Sequence, residues 1–121
     1  MAPVHSGVRG RALKLEVHEI AIEMIENLKP LVVIIARHDR SLAEQIKRSG
    51  SGVALALGEG VYSRKGNQPA RFQEAMASAG ETRTALRVAL AWGYVSEVQT
   101  RATLALIDRV VAMSWRLTHP R

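Results

Sequence analysis

SLAEQIKRSGSGVALALGEGVY, residues Ser41 to Tyr62, carries two opposed signals. Ser41 and Glu44 have the spacing of a capping box, in which a serine caps a helix start and the glutamate reaches back. Leu42, Ile46, Ser49, Val53, Ala56 or Leu57, and Gly60 then recur at helical spacing and define an inward face. Against this stand Gly50, Gly52, Gly58 and Gly60. Each glycine in a helix interior costs about 1 kcal/mol relative to alanine. So many in one helix predict a neighbour packed close to this backbone, with Ser49, Gly50 and Gly52 as the points of helix or subunit contact.

Upstream, Leu13, Val17, Ile20, Met24 and Leu28 form a stripe that Ala21 and Ile25 widen. Glu16, Glu19, Glu23 and Glu26 make an acidic outer face. Residues 1–10, with Pro3, Ser6, Gly7 and Gly10, read as a flexible basic arm, and the first helix is expected to begin near Arg11 or Ala12. Pro30 ends or kinks that helix. The apolar LVVIIARH after it could be a strand, but a lone strand has no partner. It is therefore read as helix continuing to about His38, with Asp39 and Arg40 as a tight connection.

Downstream, Ser63 to Gln68 is a loop by composition, and Pro69 suits a first helical turn. Phe72, Ala75, Met76, Ala79, Thr82, Leu86, Ala89 and Leu90 are the inward face of a third helix ending at Trp92, with Gly93 as its C′ residue. Ser96 and Gln99 form a second capping box. Leu104, Ile107, Val110, Val111, Ser114 and Leu117 are the stripe of the fourth helix, and Thr118 to Arg121 should fray. The expectation is an all-α, antiparallel up-down-up-down four-helix bundle, one domain over residues 11–121.

The 121-residue length suits one domain. There is no cysteine, which excludes disulfides, thiolate metal sites and cysteine nucleophiles. A net charge of +6 favours anionic partners such as nucleic acid, an acidic protein or a membrane surface; nucleic acid is set ahead of a merely solvated basic surface, and no membrane partner is expected. No apolar segment follows the basic N-terminal residues as in a secretory signal, and the run Leu31 to Ala36 is too short to span a bilayer. A soluble, cytoplasmic protein is expected.

Enzyme chemistry finds little support. A di-metal bundle needs Glu-x-x-His, and none of His5, His18, His38 and His119 has glutamate three residues before it. Gly58-Glu-Gly60 with Ser63-Arg-Lys-Gly66 lacks the spacing of a phosphate loop. Glu59 and Glu81 read as partly buried acids paired with arginine or with backbone N–H groups, in preference to catalytic carboxylates. No metal or other cofactor is expected. The candidate functional residues are basic: Lys47, Arg48, Arg64, Lys65, Arg71, Arg83, Arg87, Arg101 and Arg109. With the acids concentrated on the first helix, they would give the bundle one positive side suited to RNA or DNA phosphates. The sequence shows no aromatic interleaving for base stacking, so such binding would be weakly sequence-selective and salt-dependent. A solvated basic face, or arginines used in subunit contacts, explains the same residues equally well.

Gln45-Ile-Lys-Arg48, the small residues from Ser49 to Leu57, and Gly58-Glu59-Gly60 resemble the QIRRA…NIAEG signature of a bacterial four-helix-bundle family. That family includes proteins encoded in 23S rRNA intervening sequences and the accessory variability determinant of diversity-generating retroelements. The likeness continues through Arg64, Phe72, Ala75, Ser78, Glu81, Leu86 and Gly93-Tyr94. It departs where Ala56 stands in place of the usual asparagine, Gly58 in place of alanine, and Ala77 in place of the glycine of a Gly-Ser pair. The resemblance implies Gly58, Glu59, Gly60, Ser78 and Glu81 as a structural motif. It also implies a ring-like homopentamer and no catalysis. The retroelement branch implies nucleic acid and a reverse transcriptase as partners. The rRNA branch implies no defined activity and fits a structural adaptor that binds a protein partner.

Overall fold

The computed structural model describes residues 2–63 and 68–119. Its helices are α1 (Ala2–Ala36), α2 (Arg40–Tyr62), α3 (Gln68–Trp92) and α4 (Glu97–Thr118). Among the described residues there is no strand. α1 packs on α2 and α4, and α3 packs on the same two, so each helix has two principal neighbours. With the short connections this is the expected up-down-up-down bundle.

Pro30 lies inside α1 and does not end it. Its ring removes the amide that would bond the Glu26 carbonyl. Both Glu26 and Pro30 are on the exposed side of the helix, so the freed carbonyl faces water. Leu31 and Ile35, beyond the proline, are buried and hold the continuation to the core. α1 also starts earlier than expected, since the backbone is helical from Ala2 and the segment expected to be a flexible arm is part of it. Lys14 Nζ donates to Gln68 Oε1 at the start of α3 (3.1 Å), so the first turns of α1 extend beyond the end of the bundle.

The start of α2 also needs correction. Its N-cap is Asp39, whose carboxylate accepts the Leu42 amide at 3.0 Å. Ser41 sits inside the first turn and is exposed, as is Glu44, and the capping box expected of them does not form. The Asp39 amide still bonds back to Ile35 O (2.8 Å), so the chain leaves α1 and enters α2 within a few residues and the nearer capping side chain is used. The second capping box does form: Ser96 Oγ accepts the Gln99 amide and Gln99 Oε1 accepts the Ser96 amide. Gly93 ends α3 with φ of 79°, its amide bonded to Leu90 O and the Tyr94 amide to Ala89 O, which is a Schellman motif.

The core contains the stripes read from the sequence. Val17, Ile20, Met24, Leu28, Ile46, Val53, Leu57, Phe72, Leu86, Ile107 and Val110 are buried, and burying each such side chain contributes about 1.5–3 kcal/mol. Leu13, Ile25, Leu90, Leu104, Val111 and Leu117 pack at its margin. Hydroxyls are inside as well. Thr82 Oγ1 lies 2.8 Å from Ser49 Oγ, joining α3 to α2, and 2.8 Å from its own Ser78 carbonyl. Among the described residues no helix is long and apolar enough to cross a membrane.

Candidate nucleic-acid interface

The glycines of α2 turn out to be notches for side chains. A Cβ at Gly60 would lie 2.6 Å from Cε1 of the buried Phe72 ring. At Gly50 it would meet Leu28 Cδ1 at 2.9 Å, at Gly52 Ser78 Oγ at 3.2 Å, and at Gly58 His18 Nε2 at 3.3 Å. The close neighbours expected of these glycines are present, and they are the tips and rings of side chains. Glu59, between two of these notches, points outward and reaches Arg71 at 3.8 Å. Residues 59–60 of α2 thus face residues 71–72 of α3 through one ion pair and one ring in a notch. Glu59 is 59% exposed and Glu81 is exposed, so the expected partial burial of these acids is not found. Ser78 is half-buried.

The candidate bases are not gathered into one groove. Lys47 lies with Lys29 beside an apolar groove between α1 and α2 that contains Ile25, Val32, Val33 and Gly50. Arg71 is engaged by Glu59 and by Glu74 (2.9 Å), and Arg83 by Asp108 of α4 (3.0 Å). Arg109 lines a shallow groove with Glu16, Glu19, Glu23 and Glu26, so it sits against the acidic face of α1 and away from a common positive side. Lys47, Arg48, Arg87 and Arg101 are exposed and make no ion pair within the described residues. Arg64 and Lys65 lie outside the described residues.

Sequence reasoning missed an aromatic cluster. His38, in the α1–α2 connection, stacks on Tyr94, in the α3–α4 connection, with centroids 4.9 Å apart and planes 7° apart. Trp92 lies beside Tyr94 at 6.4 Å and 17°. The alternation of the bundle brings these two connections to one end, and the αL turn at Gly93 sets Tyr94 back over it. The signal was a Trp-Gly-Tyr at one connection and a histidine at the other, which only the topology joins. Among the described residues no group of three or more His, Asp or Glu side chains has a metal-binding arrangement.

A family model described as 23S rRNA-intervening sequence protein matches residues 13–116. The chain belongs to that family. No curated protein matches the chain, and no solved structure does. The matched span takes in all of α2 and α3 and most of α1 and α4, so the 23S rRNA-intervening sequence family is defined on the packed bundle itself. The first turns of α1, beyond the end of the bundle, lie outside it.

Proposed function

We propose that this family member is a non-catalytic, cytoplasmic bundle that binds nucleic acid or a nucleoprotein through exposed bases on α2, α3 and α4. One observation carries the reading: Lys47, Arg48, Arg87 and Arg101 are exposed and make no ion pair among the described residues, on a chain of net charge +6. Such residues meet phosphates at little desolvation cost, and contacts of this kind release counterions. The resemblance to retroelement accessory proteins supports a reverse transcriptase as protein partner, and a reverse-transcriptase gene beside this one would select that branch. The same resemblance supports a homopentameric ring. The test is fluorescence anisotropy with labelled RNA and DNA across a salt series. Binding should weaken steeply with salt, and Arg87→Glu should lower the slope by about one while leaving helicity intact. Absence of binding to both nucleic acids at low salt would sink the reading.

A second reading, a structural adaptor for a protein partner, is favoured by the apolar groove between α1 and α2. It predicts a complex insensitive to salt and no shift with RNA or DNA.

A further inference from the structure

The end of the bundle that carries both the α1–α2 and α3–α4 connections presents a stack of rings. Its middle member is tethered: Tyr94 is half-buried, its amide is bonded to Ala89 O, and His38, itself exposed, stacks on it nearly plane to plane. Its outer member, Trp92, is 69% exposed although it is the last residue of a packed helix. Val98, at the start of α4, is also well exposed at this end. Arg37 and Arg40 flank His38 in the chain, and both are exposed. Of the acids here, Asp39 is occupied in capping α2, while Glu97 is exposed in the first turn of α4.

We infer that Trp92, held beside Tyr94 and His38, is a stacking platform for an unpaired base of single-stranded RNA or DNA. The inference rests on the nucleic-acid reading above. Nearly parallel rings, with an exposed indole outermost, offer a flat π surface that one more ring can extend. Every nucleobase supplies such a ring, and stacking of this kind tolerates any sequence. Arg37 and Arg40, exposed beside His38 in the chain, supply positive charge at this end for the phosphates of a bound strand. A paired base within a duplex is already stacked on both faces and gains nothing from the platform. The arrangement therefore selects strandedness, which dispersed bases alone would not.

The experiment compares an oligouridine, an oligothymidine and a blunt duplex of equal length at low salt. Binding is read by anisotropy, and by Trp92 emission in a Trp115→Phe background, since the chain has two tryptophans. Both single strands should quench Trp92, and the duplex, which offers free base faces only at its two ends, should quench it far less at equal saturation. Trp92→Ala should weaken single-strand binding about tenfold and leave duplex binding within about twofold, while Trp92→Phe should retain most of the affinity. Single-strand binding unchanged by Trp92→Ala would overturn the platform and leave the basic-surface reading standing. Equal weakening on all three ligands would overturn it by making Trp92 a support of the fold or assembly. No binding to any of them would overturn both readings.

Discussion

Gly60 and Gly80 are both helical, yet one is filled and the other open. Beside Gly60 the Phe72 ring occupies the space of a side chain, whereas a Cβ at Gly80 would meet nothing within 4 Å. Alanine gains about 1 kcal/mol of helix propensity at either place. At Gly60 that gain is set against overpacking a buried, rigid ring, typically about 1–3 kcal/mol. Gly60→Ala should therefore lower stability, while Gly80→Ala should raise it by about 0.5–1 kcal/mol, in urea unfolding followed by circular dichroism. Equal shifts of the same sign would show that the notch has no steric role. Gly50→Ala should be milder than Gly60→Ala, because it meets the far end of a flexible leucine. The glycine count could be read from the sequence as a sign of close approach. What approaches could not be read, because Phe72, Leu28 and Ser78 reach these notches from other helices. The exposure of Glu81 was hidden for the same reason: an acid among small residues is buried or free according to which way its helix is turned.

Each helix ends by its own means, and these ends tell where local signals suffice. Gly93 and the Ser96–Gln99 box were legible because each motif is complete within a few residues and nothing distant competes. The start of α2 was misread because Asp39 and Ser41 are both good caps and the choice depends on where α1 stops. That in turn depends on Leu31 and Ile35 holding the chain helical past Pro30. Asp39→Ala should cost about 1 kcal/mol, the usual loss for a removed N-cap. Ser41→Ala, at an exposed position inside the helix, should stay within a few tenths of that scale of zero. Thermal unfolding of the two variants decides between the caps, and a larger loss at Ser41 would restore the expected box.

Across the whole molecule, charge and apolar exposure are divided among sides. The groove between α1 and α4 is acidic apart from Arg109. The groove between α1 and α2 is apolar and carries the exposed Val33 on its α1 side, and Leu55 extends the row of Lys47 and Ser51 along α2. A second chain seated there would cover Val33 and Leu55, which are 52% and 69% exposed. Light scattering should then give a multiple of the 13.3 kDa chain mass, and Leu55→Glu should reduce that mass without loss of helix. A native mass of one chain would remove the assembly proposal. The four-helix architecture was legible because its stripes repeat over many turns. The spread of the basic residues was not, because a count of charges along a chain says nothing of which neighbour each helix turns them toward.

The Gly60 notch also bears on which of several similar bundles the chain can form. α2 and α3 carry small and apolar residues along most of their inner faces, so a slip of one helical turn would still match apolar to apolar. One turn back along α2, Phe72 would face Ala56 or Leu57, whose side chains already fill that space. Position 60 leaves room for the ring, and in that setting Arg71 is beside Glu59. A missing side chain thus works as an index mark. It removes the degeneracy of a repetitive interface at the expense of helix propensity, and fixes the axial setting of α3 against α2.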